Sequence, residues 1–219
     1  MPGTFSLADT RSLDDLHVYL SRAARVEEGS VRLIAGSGVL AVYCSVFTPA
    51  GLLDESATVL GLRTLALAEP ATFDAVVPVR SLLQRIERAQ QEAGTTVGLP
   101  MEVNTATWAA ISPPRGGWSA LGDVDPGLLD ATARAGIREV ASAIPDGAGE
   151  QLVRKVRNEV WGRPIPGAEH VPASAAFAAF ALGFLGDDPV RVYESGPWTR
   201  LTTTRGHVLV KRRAWNLLR

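Results

Sequence analysis

The chain has 219 residues, 46% hydrophobic and 21% charged, with 22 basic and 23 acidic side chains and a formal net charge of −1. A core of useful size can form without staples, and the near balance of charge excludes a molecule-wide nucleic-acid signature. Cys44 stands alone, which excludes an intrachain disulfide framework and a cysteine-based metal cluster.

The distribution of charge is uneven. Residues 1–110 hold 8 basic and 12 acidic side chains, whereas residues 111–219 hold 14 and 11. After position 190, Arg191, Arg200, Arg205, Lys211, Arg212, Arg213 and Arg219 face only Glu194. Such a tail meets phosphates, an acidic partner or lipid headgroups, or forms a solvated rim. Lys155 and Lys211 are the only lysines; this arginine bias, with heavy Ala, Gly and Val usage, fits a GC-rich bacterial genome. Met1-Pro2-Gly3-Thr4-Phe5 lacks a basic region followed by an apolar stretch, so no signal peptide is expected. The uncharged run 173–186 is shorter than the roughly 20 residues of a membrane span. The expected location is the cytoplasm.

Ser12 with Asp15 three residues on reads as a capping box opening a helix, and Leu13, Leu16, Leu20 and Ala24 recur at helical spacing. Val31–Ile34, Val39–Phe47 and Thr58–Leu67 then read as three successive strands, the first two joined by a tight Gly36-Ser37-Gly38 turn. Without an intervening helix they predict an antiparallel meander. Pro78 opens a helix with Val79, Leu82, Leu83 and Ile86 inward, closed by Gly94. Thr95–Val103, interrupted by Pro100, reads as an edge strand. The strand–strand–strand–helix run 31–91, with Val76-Val77-Pro78 before the helix, resembles half a sliding-clamp domain; it covers under a third of the chain and no function is carried from it.

Pro and Gly crowd together in Ser112-Pro113-Pro114-Arg115-Gly116-Gly117-Trp118, dividing the chain into a sheet-containing half, 1–112, and a mainly helical half, 113–219. One continuous domain is the alternative. Asp125-Pro126 opens a helix carrying Leu129, Ala133, Ile137, Val140 and Ile144. Glu150–Trp161 forms another, with Leu152, Val153, Val156 and Val160 inward and Arg154, Lys155 and Arg157 outward. A loop, 163–170, leads to Pro172–Gly186, which is uncharged and built of alanine and phenylalanine. A helix apolar all round must be buried on all sides. Val190–Glu194, Trp198–Thr204 and His207–Lys211 follow as strands, the last two joined at Arg205-Gly206. The expected fold is α+β: an N-terminal helix, an antiparallel meander and a helix, then a C-terminal three-helix cluster with a terminal β-hairpin. No internal repeat of solenoid length is visible.

Few constellations suggest chemistry. Gly36-Ser37-Gly38-Val39-Leu40-Ala41 fits a relaxed dinucleotide fingerprint, but the run after it favours a strand where the fingerprint needs a helix. Asp123, Asp125 and Gly127 lack the remaining ligands of a calcium loop, and Asp125 suits a helix cap. Asp187-Asp188 reads as a solvated turn, and His17, His170 and His207 show no metal spacing. Helices 127–144, 149–161 and 173–185 followed by a basic hairpin give the element order of a winged helix. Its third helix, however, offers only Ser174 to base edges. In a displaced version Arg154, Lys155 and Arg157 meet phosphate together with the hairpin.

The first reading is therefore a non-catalytic interaction or oligomerisation protein, self-associating or holding a protein partner. Trp118, Trp198 and Trp215 are its candidate interface aromatics. The second is a nucleic-acid-associated module contacting phosphates or an acidic partner through Arg154, Lys155, Arg157, Arg200, Arg205, Lys211 and Arg212. It is less favoured, because the apolar helix cannot read DNA. The third is a nucleotide or small-molecule binder, or an enzyme, with its site at Gly36–Gly38 or between the halves. No catalytic residue is assigned, and no cofactor or metal is expected.

Overall fold

The computed structural model describes residues 3–49, 51, 54, 56–103, 106–145 and 147–212. The chain divides into two compact units, Met1–Val46 with Gly61–Ser112, and Phe47–Leu60 with Pro113–Arg219.

In the first unit, β1 (Thr4–Ser6) leads into α1 (Thr10–Val26). The cap of α1 is Asp9, whose carboxylate accepts from the Ser12 backbone N–H at 2.7 Å. The expected capping box at Ser12 is thus displaced by three residues: Ser12 lies in the first turn, donating rather than capping. Leu13, Leu16, Tyr19, Leu20 and Ala23 form the buried stripe. Strands β2 (Ser30–Gly36), β3 (Val39–Phe47) and β4 (Thr58–Ala66) follow. Ser37 and Gly38 both have positive φ, 52° and 76°. This two-residue turn matches strand twist and sets the register Gly36↔Val39. A strand, not a helix, follows the glycines, so the dinucleotide fingerprint has no helix N-terminus to offer a pyrophosphate.

A strand unforeseen in the sequence, β5 (Phe73–Pro78), pairs antiparallel with β2 and runs straight into α2 (Val79–Gln91). Val79, Leu82, Ile86 and Ala89 are the buried face of α2. Glu92 caps it, and the left-handed residue that follows the cap is Ala93, with φ 52°, rather than Gly94. The expected strand 95–103 shrinks to β6 (Thr96–Gly98), which pairs with β1. A 3₁₀ turn, Thr107–Ala110, follows. Strand order in this unit is β5-β2-β3-β4. Arg32 on β2 holds Asp74 of β5 bidentately at 2.8 and 2.6 Å and donates to the Ala109 carbonyl at 2.6 Å. It thereby ties the 3₁₀ segment to the sheet.

The second unit corrects the expected C-terminal half. It opens with β7 (Ser119–Val124), then α3 (Pro126–Ala143), capped by the Asp125 carboxylate on the Gly127 N–H at 2.7 Å. After α4 (Glu150–Gly162) come β8 (Pro164–Ile165) and β9 (Ala168–Pro172), paired antiparallel where a loop was expected. Then follow α5 (Ala173–Ala181), β10 (Val190–Ser195), β11 (Trp198–Thr202) and β12 (His207–Lys211). There is no three-helix cluster with an appended hairpin. Strand β7 precedes α3, strands β8 and β9 separate α4 from α5, and β11–β12 are two members of the antiparallel order β12-β11-β10-β7. The physical reason is that Val190, Val192, Leu201, Val208 and Val210 form one continuous apolar face, all 1% exposed or less. α5 packs against β12 of this sheet, and α3 and α4 pack on α5. That removes the winged-helix arrangement.

Phe47, Trp161 and Phe177 meet with ring centroids 4.7–6.3 Å apart where α4 covers α5. Gly136 of α3 makes room for that contact: a Cβ there would lie 2.4 Å from the Trp161 ring. No helix among the described residues is long and apolar enough to cross a membrane.

Candidate functional site

Residues two apart along a strand share a face, and cross-strand partners share it too. The registers Arg191↔Thr202, Tyr193↔Arg200, Ser195↔Trp198, Trp198↔Lys211, Arg200↔Leu209 and Thr202↔His207 therefore collect these residues on one face of β10–β12. The valines and Leu201 occupy the opposite face.

Arg200 is the centre of this surface. Its guanidinium carbon lies 4.5 Å from the Trp118 ring centroid and 4.6 Å from that of Tyr193, a planar cation over two aromatic rings. Trp118, just before β7, is held by its indole N–H on the Pro114 carbonyl at 3.1 Å. The Nε of Arg200 is buried without a hydrogen-bond partner, and burial pulls its pKa down. Lys211 sits 5.9 Å over the Trp198 ring, and Arg212 donates to the Thr199 hydroxyl at 3.2 Å. His207 shares a 3.1 Å hydrogen bond with Thr202; burial first, and the charge of Arg200 second, lower its pKa below 6.5. The carboxylates adjoining in register are Asp123, opposite Arg191, and exposed Glu194. The surface is basic and aromatic.

Trp118, Trp198, Arg200 and Lys211 are thus brought together, whereas Arg212 bonds to Thr199, which alternates with Arg200 onto the opposite face. Trp198 is 4% exposed beneath Lys211, while Trp118 is half-buried. Arg205, at the β11–β12 turn, donates to the Leu185 carbonyl at 2.9 Å. Trp215 lies outside the described residues. The α4 trio is not part of this face, because α4 packs on α3 and α5 rather than on the sheet. There Arg154 binds Glu150 at 2.6 Å, Arg157 lies 5.4 Å over Phe47, and Lys155 is exposed. Sequence reasoning missed Tyr193, and counted Arg191 in the basic tail without selecting it as a contact. The period-2 pattern Arg-x-Tyr within 190–194 is the signal that could have found them.

Other candidates are quieter. Cys44 is buried and hydrogen-bonded with Tyr19 at 3.2 Å, and burial pushes its thiol up to about 11. It is a packed, inert thiol. Asp187 and Asp188 are exposed, and His17 reaches Glu87 at 3.4 Å. Among the described residues, no group of three His, Cys, Asp or Glu side chains could hold a metal.

Comparison with known proteins gives the fold its relatives. Residues 1–107 match the family model "Domain of unknown function (DUF8010)" and residues 113–215 match "Domain of unknown function (DUF8185)". No curated protein matches the chain. Solved structures of bacterial sliding clamps do. Caulobacter crescentus pol III beta is similar at 12% identity, TM-score 0.54, covering 97% of this chain and 66% of its own. DNA polymerase III subunit beta from Borrelia burgdorferi, bound to a natural product, has 7% identity and TM-score 0.56 over 98% and 66%. The Thermotoga maritima protein has 14% identity and TM-score 0.53 over 98% and 65%. The fold is therefore clamp-like across nearly the whole chain, well beyond the 31–91 run that resembled a clamp in sequence. The chain spans just under two thirds of these clamp chains.

Proposed function

We propose that this protein is a clamp-like binding module that associates with nucleic acid and does its work by binding rather than by catalysis. The observation that carries this reading is the clamp fold over 97–98% of the chain. Charge placement supports it. The five helices carry 11 arginines and lysines against 7 carboxylates in a chain of net charge −1, so cations are concentrated on helices and on the β10–β12 face. Arginine and lysine on such surfaces bind phosphates by releasing condensed counterions, which makes affinity fall steeply with salt. Fluorescence anisotropy with labelled single- and double-stranded oligonucleotides tests it. Binding at about 50 mM salt should weaken at least tenfold by about 200 mM, and Lys155→Glu with Arg191→Glu should reduce both affinity and salt slope. No binding of either form at low salt overturns the reading.

A second reading, self-association, has its own support in β7. Among the described residues β7 pairs with β10 alone, and five of its six residues are exposed. An unpaired strand edge is a template for a second chain. Light scattering across a concentration series that returns only monomer excludes it.

A further inference from the structure

The outer face of β10–β12 also carries a preference about which form of nucleic acid it would hold. We infer that the Trp118–Arg200–Tyr193 stack, with the cations flanking it, is a binding track for single-stranded nucleic acid. This rests on the nucleic-acid reading above and deepens it.

The first argument is geometric. In register, Arg191 lies beside Thr202, Arg200 two residues away on β11, and Lys211 beside Trp198, two residues further. The three cations therefore fall on a diagonal across three neighbouring strands. Strand spacing and rise place successive members about 8 Å apart at the backbone. A diagonal of cations follows one extended phosphate backbone.

The second argument is electrostatic. Arg200 has two aromatic partners and a buried Nε that no protein acceptor reaches. A guanidinium desolvated without a counter-charge gains from an external anion more than one already paired does. Elsewhere in the chain the half-buried Arg32 has Asp74 as its carboxylate partner. Arg200 is left with rings.

The third argument separates single strands from duplex. The Trp118 indole is half-exposed, and its N–H is already satisfied by Pro114. It can extend the existing stack by one base, because every unpaired base has a π-face to offer. In a duplex those faces are occupied by neighbouring base pairs, so the aromatic half of the surface gains nothing there.

The test uses the full chain with a labelled oligothymidylate and a duplex of equal length. The oligothymidylate should bind roughly tenfold or more tightly than the duplex. Trp118→Ala should weaken it about tenfold, and Trp118→Phe should retain most of the affinity. Arg191→Gln, at an exposed position and without setting a second carboxylate opposite Asp123, should weaken it and flatten the salt dependence. Equal affinity of wild type and Trp118→Ala, or preference for the duplex, overturns this inference and leaves the broader reading standing. Displacement of the oligothymidylate by polyglutamate at equal charge would reveal a general anion surface and overturn it too. If neither oligonucleotide binds, both readings fail together.

Discussion

The two units are built from the same parts in opposite order. In the first, strand, helix and three-strand meander (β1, α1, β2, β3, β4) precede a strand that leads into a second helix (β5, α2); in the second, strand and helix (β7, α3) come before strand, helix and meander (β9, α5, β10, β11, β12). In both, the separate strand pairs antiparallel with the first strand of the meander, β5 with β2 and β7 with β10. The helices that hold the same place in this order could hardly differ more. Helix α1 buries five of 17 residues along one stripe, whereas α5 buries six of nine. The element without a counterpart in the first unit is α4, which packs on α3 and α5 and brings Val160 and Trp161 down onto Ala173 and Phe177. A helix with one covered side can be amphipathic. One that supports a sheet strand and lies beneath another helix must be apolar on both sides.

This contrast can be broken at the helix that depends on its cover. Ala178 is 0% exposed, while Val18 on α1 is 51% exposed. Ala178→Asp buries a charge with no partner and should cost about 3 kcal/mol or more. Val18→Asp should change stability by no more than about 0.5 kcal/mol. Urea denaturation of both variants measures the difference; equal, small effects would mean that α5 is not enclosed.

Gly136→Ala should produce an intermediate loss, about 1–3 kcal/mol, because its methyl group collides with the Trp161 ring at the α3–α4 contact. Gly94→Ala in the first unit is the matching control. Its nearest neighbour would be the Ala89 carbonyl at 3.7 Å, so its midpoint should barely move.

His207 should give the smallest effect. Its folded-state pKa lies below the ordinary 6.5, because burial and Arg200 disfavour the imidazolium. The unfolded chain thus binds the proton more readily. The stability contributed is complete above the unfolded value and is lost as pH falls through the folded one. Midpoints measured between about pH 7.5 and about pH 5 should decline, and His207→Gln should flatten that slope. An unchanged slope would show that other groups govern it.

Much of the local structure was legible. Val39–Phe47 and His207–Lys211 coincide with β3 and β12, and Asp125 caps α3, because β-branched runs and cap chemistry act within a few residues. Strands β1, β5, β7, β8 and β9 were not found. Ser119–Val124 shows why: five of its six residues are exposed, and Ala120, Gly122 and Asp123 have little intrinsic preference for a strand. Pairing with β10 defines that strand. The exposed basic residues near the C-terminus were visible as a charge excess, but the stack around Arg200 joins Trp118, Tyr193 and Arg200 from three separate stretches. No sequence spacing expresses such a contact.

By itself, then, the sequence determined which segments are helix or strand where periodicity is strong, and that the stretch 173–186, of which Ala173–Ala181 is the helix α5, must be enclosed, since with Ser174 as its only polar side chain it has no face to give to water. Only the tertiary structure decided what encloses it, that the last hairpin continues a sheet, and that the scattered aromatics and cations share one surface. Those outcomes depend on antiparallel register between distant strands, where a shift of one residue would send each side chain to the opposite face.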